Sequence, residues 1–336
     1  MKNTGKNKYR VAIVGAGDNA RAHAKACAQT DQAELVAVCD VSQPAIDRFT
    51  EQLAVNATYT VLAEMLTQEQ IDIAIICTWQ VNHAEIGIRI AESKRVKAIL
   101  CEKPLTRDAA EAEALVATCR NNGVFFAEAF KFRHHPLHLK TREIIDQGGI
   151  GEVMHVHSTF CHRFEDRQPH EHWYWERSKA GGAVYIIACY NIHHARFVFG
   201  EEPERVFATQ IPGVEVDDAA AIVLIFSGGR TAQITTSFNS WHSHFIEIIG
   251  TRGLLRIDDI AWNNEDQAVV LKQQTEEGVA YFEFNPLHQF THQLQHLCEC
   301  LDTGAPHRIS PENSIAQMQV IDGVFESIDS GKTVVL

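Results

Sequence analysis

Two short segments of this chain carry residues that suit chemistry on a bound ligand. The run Gly15-Ala16-Gly17-Asp18-Asn19-Ala20 follows an apolar stretch at residues 11–14, and the tetrapeptide Cys101-Glu102-Lys103-Pro104 follows another at residues 98–100. In a strand–turn–helix unit, the first glycine permits a tight turn, the second lets the backbone approach a phosphate, and the helix N-terminus attracts negative charge. A lysine at the carboxyl end of a buried strand lies where α/β proteins bind ligands, and its ammonium group can hold a reacting oxygen.

An acidic residue supports the interpretation of the glycine run as a dinucleotide site. Asp40 closes the next apolar run, about 20 residues after the glycines. A carboxylate there accepts hydrogen bonds from both ribose hydroxyls and repels a 2′-phosphate, which favours NAD over NADP. We therefore predict NAD as the cofactor, with NADP less favoured, and predict five contacts to it: Gly15, Gly17, Asp18, Asn19 and Asp40. A tight βα turn with an incidental aspartate is the alternative.

The elements around these segments indicate two domains. Residues 1–126 alternate short apolar runs with helical periods, which predicts a doubly wound parallel sheet of the Rossmann type. After Pro136, strand-like runs separated by turn residues predict a large, mainly antiparallel sheet with helices, one of them at residues 181–199. The predicted fold is therefore α/β, with a dinucleotide-binding Rossmann domain at 1–126 and an α+β domain at 127–336.

Composition excludes several classes of partner. The formal net charge of −13 argues against a nucleic-acid or anionic-membrane surface. No apolar run approaches the length of a membrane span, and the basic residues near Met1 are not followed by a signal-peptide core. Nine cysteines in 336 residues do not form a secreted disulfide framework. These features predict a cytoplasmic protein whose partner is a small molecule.

The chain resembles the Gfo/Idh/MocA oxidoreductase family over essentially its whole length. The segment from Cys101 to Thr106 is the closest local match, and Gly15-x-Gly17 with His23 six residues later is similar to the first turn of that family. The resemblance implies NAD(P)-dependent oxidation of an alcohol, with Thr78, His83, Glu102 and Lys103 added to the cofactor contacts. It also implies that the domain at 127–336 binds the substrate and forms the oligomer, a homodimer or homotetramer built through its sheet.

The Gly-rich segment that begins at Ala180 resembles the start of the family's catalytic helix. Many members carry an aspartate there and, four residues later, a histidine or tyrosine; here these positions are Ile186 and Tyr190. Ile186 cannot transfer a proton, so the usual carboxylate is missing. The resemblance implies Lys103 and Tyr190 as catalytic residues, and His194, one turn beyond Tyr190, as a possible replacement for the missing group.

Further polar residues are candidates for substrate contact: Arg133, His162, Trp175 and Asn191. Trp175 ends an aromatic loop at 170–175 that suits a sugar ring; a covering loop packed by its own tryptophans is the alternative. Arg133 could equally form an interdomain salt bridge. His288, His292 and His296 recur every four residues, with Cys300 next, but we interpret them as an ordinary helix face or subunit contact and predict no metal site.

The family resemblance, together with Lys103 and Tyr190, implies hydride transfer between nicotinamide and a secondary alcohol or ketone of a sugar, cyclitol or related polyol. Two alternatives are a non-catalytic dinucleotide-binding sensor of the same fold, which Ile186 favours, and a reductase of dihydrodiols or imine-like substrates.

Overall fold

The computed structural model describes residues 8–164, 172–258 and 265–336. The strands are β1 (Tyr9–Val14), β2 (Ala33–Cys39), β3 (Ala57–Tyr59), β4 (Ile73–Ile76), β5 (Ala98–Glu102), β6 (Phe125–Ala129), β7 (Val153–Arg163), β8 (Arg205–Pro212), β9 (Asp217–Ile225), β10 (Thr231–Ser237), β11 (Asn239–Gly250), β12 (Gly253–Asp258), β13 (Val269–Thr275), β14 (Gly278–Phe284) and β15 (Val334–Val335). The helices are α1 (Asp18–Ala28), α2 (Gln43–Thr50), α3 (Leu62–Gln68), α4 (His83–Ser93), α5 (Ala109–Asn121), α6 (Pro136–Asp146), α7 (Cys189–Phe199), α8 (Gln289–Thr303) and α9 (Pro311–Ser330).

The first sheet has six parallel strands in the order β3-β2-β1-β4-β5-β6. Residues of β1, β4 and β5 are almost wholly buried, which explains why these strands are continuous apolar runs. The order reverses between β1 and β4, and ligands of such sheets bind beyond the carboxyl ends of the strands at that point. The predicted Rossmann sheet is confirmed.

The second sheet has nine strands in the order β14-β13-β12-β11-β7-β10-β9-β8-β15. Its neighbours pair antiparallel except for β7 and β10, which run parallel. The predicted, mainly antiparallel sheet is thus confirmed. Hairpins at residues 227–229 and 251–252 join its strands at the predicted turns.

The predicted helix at residues 181–199 has two parts. Val184–Ala188 forms a π-helical turn, and α7 continues from Cys189 to Phe199. π-Helical turns are rare, and they widen the helix locally where they occur. The turn contains Ile186, so the residue that departs from the family pattern lies in the irregular part of the helix.

The chain forms two compact units whose limits differ from the predicted boundary between residues 126 and 127. The first unit holds the chain up to Thr106 together with Ala110–His134 and His288–Ser314. The second holds Arg107–Ala109, His135–Leu287 and Ile315–Leu336. The predicted boundary would cut β6. It would also assign α8 to the second domain, whereas Phe290, Leu294 and Leu297 of α8 are buried in the same hydrophobic core as β1.

Among the described residues, no helix combines the length and apolar character needed to cross a bilayer.

Candidate active site

The turn after β1 requires glycine at position 15. Gly15 has φ +101°, and a Cβ placed on it would lie 2.5 Å from the carbonyl oxygen of Cys77. Its backbone N–H donates to the carbonyl of Cys39 over 2.7 Å, so the turn is held between β2 and β4. Strain of this kind persists only where the surrounding structure holds it in place.

Gly17 caps the N-terminus of α1, and no described atom lies within 4 Å of a Cβ placed on it. The space at Gly17 leaves room for the pyrophosphate of a dinucleotide to approach the first turn of α1, whose backbone N–H groups have no partners within the helix. Ala20 is buried in the core beneath the turn, as its place in the motif predicts. Asp18 and Asn19 are exposed in the first turn of α1, where Asp18 forms an ion pair with Arg21.

Asp40 braces the glycine turn. Its Oδ2 accepts the backbone N–H of Ala16 over 2.8 Å, and its Oδ1 accepts that of Ser42 over 2.8 Å. A carboxylate has about four lone-pair positions, so capacity for ribose hydroxyls is left over. The bracing role was not predicted from the sequence, and the ribose contact stays a prediction.

His83 ties together the loops that follow β4 and β5. The ring is 1% exposed, with Nδ1 3.0 Å from the carbonyl oxygen of Leu105 and Nε2 3.0 Å from that of Thr78. Burial lowers the pKa of His83, despite the carbonyl contacts that favour its charged form. The structure thus places Thr78 and His83 at the expected edge of the sheet, with the His83 ring contacting backbone. Their contacts with the cofactor stay predictions.

Glu102, the last residue of β5, is a buried carboxylate beside Lys103. It is 4% exposed and accepts a hydrogen bond of 2.9 Å from Nε2 of His23, while the backbone N–H of Lys103 lies 3.2 Å from its Oε2. Burial raises the pKa of Glu102, but the His23 hydrogen bond and the charges of Lys103 and Lys131 outweigh this and leave it below the ordinary value. Glu102 is therefore an anion that attracts the ammonium of Lys103. The peptide bond between Lys103 and Pro104 is cis.

Arg133 is half-buried in the first unit and donates through Nη2 to the carbonyl oxygen of Arg308 over 3.1 Å. This bond anchors the guanidinium to its own unit. A contact between Arg133 and substrate stays a prediction.

In the second unit, Tyr190 and Asn191 begin α7 beside the inner strand β7. The Tyr190 ring is half-buried, with its centroid 6.0 Å from that of Phe160. Asn191 is fully buried and donates to Oγ of Ser158 over 2.9 Å.

His194 has no exposed surface, and the centroid of its ring lies 5.2 Å from that of His138. A ring with no exposed surface has no access to a substrate in this conformation. Tyr190 is therefore a stronger candidate than His194 for proton transfer to a substrate.

Asp217 holds the start of the π-helical turn and was not foreseen from the sequence. Its Oδ2 accepts the backbone N–H of Val184 over 2.7 Å. Gly182, whose φ is +104°, packs against the same carboxylate, because a Cβ placed on it would lie 2.2 Å from Oδ1 of Asp217. Burial raises the pKa of Asp217 to about 7, with a further contribution from Asp218. No local pattern marks this residue, because it lies 33 residues from the backbone group it caps.

Two predicted substrate residues lie near the aromatic cluster around Phe238. Trp175 is half-buried and contacts Phe238 edge-on, with centroids 5.1 Å apart. His162, also half-buried, lies near the end of β7 beside His242 and His244. Residues 170 and 171 of the predicted aromatic loop lie outside the described residues.

Substitution of the two glycines should separate folding from cofactor binding. Gly15→Ala adds a side chain at positive φ against a carbonyl, and should lower the free energy of unfolding by roughly 1–3 kcal/mol or more. Gly17→Ala fills open space, so the cofactor-free protein should unfold as before while NADH binds about tenfold more weakly, or about 1.4 kcal/mol. Thermal unfolding with and without NADH measures both effects. Unchanged NADH affinity in Gly17→Ala would contradict the phosphate role of this turn.

Asp217→Asn should remove a pH-dependent loss of stability. Because the folded pKa is about 7 and the ordinary value is 3.8, the folded chain keeps a proton between these pH values that the unfolded chain has lost. The stability of the unmodified protein relative to the variant should therefore fall as pH rises through this window, by at most about 1.4 kcal/mol per pH unit. Urea unfolding of both proteins at several pH values tests this, and a constant difference would contradict it.

Comparison with known proteins places this geometry in a family. A family model described as an oxidoreductase family with an NAD-binding Rossmann fold matches residues 9–130, and the GFO/IDH/MocA C-terminal domain matches residues 138–256. The D-xylose 1-dehydrogenase (NADP(+)) 2 of Haloferax volcanii is 28% identical over 92% of this chain and 94% of its own length. An uncharacterized oxidoreductase of Rhizobium meliloti is 30% identical over 89% of this chain and 90% of its own.

Among solved structures, a 3-ketoreductase from Actinomadura kijaniata in complex with NADP and TDP-benzene superimposes with a TM-score of 0.86. It is 25% identical, and the match covers 96% of this chain and 98% of that one. Together these matches show that the chain is an NAD(P)-dependent oxidoreductase of the Gfo/Idh/MocA family.

Proposed function

We propose that this enzyme transfers a hydride between NAD(H) and a secondary alcohol or ketone of a sugar, cyclitol or related polyol. The observation that carries the proposal is Lys103, held beside the buried anion Glu102 at the sheet edge that also bears the Gly15–Gly17 turn. Two relatives support it, since one is a D-xylose dehydrogenase and another a 3-ketoreductase.

Lys103 is the residue we assign to the reacting oxygen. The bound nicotinamide supplies the acceptor or donor of the hydride. The ammonium group of Lys103 donates a hydrogen bond to the substrate oxygen and stabilises negative charge as it develops there. Glu102 acts through Lys103, because a buried carboxylate attracts the ammonium and restricts its position.

Tyr190 is the second group that we assign to proton transfer. A phenol both donates and accepts a hydrogen bond, so it can pass a proton to or from a hydroxyl. Ile186 is 5% exposed and apolar, so it supplies no carboxylate to this helix. We therefore assign proton transfer to Lys103 and to Tyr190, each described within its own unit, and not to residue 186.

We also propose a cytoplasmic location and a homodimer or homotetramer. All nine cysteines are free thiols, which is usual in a reducing compartment. For the oligomer, support comes from apolar side chains exposed on strands β13 and β14 of the large sheet, namely Val270, Val279 and Tyr281.

Lys103→Met should abolish most of the activity while NADH binding persists. Removal of the ammonium should lower kcat/KM by roughly 10²–10⁴-fold, because the oxyanion loses its charged donor. The measurement is NAD reduction against a panel of sugars, cyclitols and polyols, with NADH binding followed by thermal unfolding. Lys97→Met, at the opposite end of β5 and exposed, is the matched control and should keep full activity.

Equal rates in Lys103→Met and the unmodified enzyme would overturn the assignment of Lys103. If NADH stabilised the protein but no member of the panel reacted, the proposed substrate class would be wrong and the sensor alternative would be favoured.

Asp40→Asn should shift the cofactor preference from NAD towards NADP. The amide keeps an acceptor for one of the two bracing N–H groups and removes the charge that would repel a 2′-phosphate. The ratio of kcat/KM for NAD to that for NADP should fall by roughly tenfold or more. A preference for NADP in the unmodified enzyme would show that Asp40 braces the turn without selecting the cofactor.

A further inference from the structure

Two clusters of three histidines are assembled by the described part of the chain, and the hydride and proton transfers proposed above assign no role to either. One consists of His162, His242 and His244, in the second unit; within it, the ligand nitrogens of the three rings lie within 4.8 Å of one another. The other consists of His134, His296 and His307, in the first unit, with the same spacing. Imidazole is the commonest protein ligand of transition metals, so each cluster is a candidate metal site.

The cluster at His162, His242 and His244 arises from strand geometry. Alternate residues of a strand point to one face, so His242 and His244 project on the same side of β11. His244 pairs with Phe160 across the sheet, and His162 lies two residues beyond Phe160 on that same side of β7. A bulge then brings His242 level with His162. Three residues of β11 lie between its pairs at Asn239 and Ser243, whereas only His162 lies between the partners of those residues on β7.

This geometry is close to that of a shared metal ion. The Nδ1 atoms of His162 and His242 are 2.9 Å apart, and the ring centroids of the three histidines lie 4.1–4.6 Å from one another. Two nitrogens bound to one tetrahedral zinc are about 3.3 Å apart, given Zn–N distances of about 2.0–2.1 Å. A few tenths of an ångström of ring movement would admit the ion in place of the hydrogen bond between the two Nδ1 atoms.

The surroundings leave the cluster accessible. His242 is exposed, and His162 and His244 are half-buried, so an ion could enter from solvent and keep open coordination positions. Arg163 alternates to the opposite face of β7, where its guanidinium lies over the Trp241 ring. Its positive charge is therefore directed away from the three imidazoles.

We propose that His162, His242 and His244 bind a divalent transition-metal ion, and that this ion is zinc. Three neutral imidazoles with open positions suit zinc, whereas Mg²⁺ and Ca²⁺ prefer oxygen ligands. The site lies on the helix-bearing face of the large sheet, since Phe160 contacts both His244 and Tyr190 on that face. It does not depend on the identity of the substrate.

The cluster in the first unit is less suited to a cation. Nη1 of Arg308 lies 3.0 Å from Nδ1 of His134, and since arginine only donates, that nitrogen accepts and its lone pair is occupied. Burial, together with the nearby histidines and the charges of Arg308 and Arg133, lowers the pKa of His134 well below its ordinary value. Two guanidinium groups beside the rings would repel a dication as they repel a proton.

Metal titration of the untagged, full-length protein tests the proposal. After removal of metal with a chelator, Zn²⁺ competed against a chromophoric chelator should bind at one equivalent per chain with micromolar or tighter affinity. Co²⁺ should give the visible absorption of a low-coordinate site, and Zn²⁺ should raise the temperature of unfolding.

Four variants locate the ion. His242→Ala and His244→Ala should weaken zinc binding by roughly 100-fold or more, and His242 is exposed enough that its removal should leave the metal-free protein folded. His157→Ala, on β7 but facing the other side of the sheet, and His296→Ala, in the other cluster, should bind zinc as tightly as the unmodified protein. The absence of stoichiometric binding, equal affinity in His242→Ala, or loss of binding in His296→Ala would overturn the proposal.

Discussion

The edge of the first sheet is organised around a carboxylate that is shielded from water. Glu102 is 4% exposed and ends β5, where the strand leaves the sheet. The transfer of an anion out of water costs several kcal/mol unless hydrogen bonds and opposite charges offset it. His23 supplies the hydrogen bond, and Lys103 and Lys131 supply the charges. The place of Lys103 is therefore tied to the burial of its neighbour. In the role we propose for Lys103, its ammonium would need little reorganisation to donate to the reacting oxygen.

Asp217 in the second unit is a buried carboxylate whose pKa is raised, whereas that of Glu102 is lowered. Asp217 accepts backbone N–H groups, but it has the like charge of Asp218 nearby. Burial therefore dominates, and the pKa rises to about 7. The residue still caps the π-helical turn, so it determines where the helix that carries Tyr190 begins. A buried carboxylate is therefore kept ionised at Glu102, where cations are nearby, whereas at Asp217 burial favours the protonated form.

Local pattern predicted most of the fold. The strands of the parallel sheet are apolar because they are buried on both faces. Ser42, a residue type favoured at helix N-termini, caps α2 by accepting the backbone N–H of Ala45. Strand β3 and helix α3, with three and seven residues, are too short to show a clear period of their own. The parallel pairing of β7 with β10, the place of α8 in the first core, and the histidine cluster on β7 and β11 depend on contacts between residues far apart in sequence. No periodicity or motif encodes such contacts, so only the folded chain shows them.

The π-helical turn also changes how Ile186 is understood. Residues four apart, such as 186 and 190, share a face in an α-helix, but the turn at Val184–Ala188 is wider than an α-helix. Ile186 is buried while Tyr190 is half-buried beside Phe160, so the two side chains have different environments. Isoleucine at position 186 is thus a core residue, and a carboxylate there would be buried. An aspartate introduced at position 186 would not restore an ionised carboxylate, because burial would raise its pKa and favour the neutral form, as it does at Asp217.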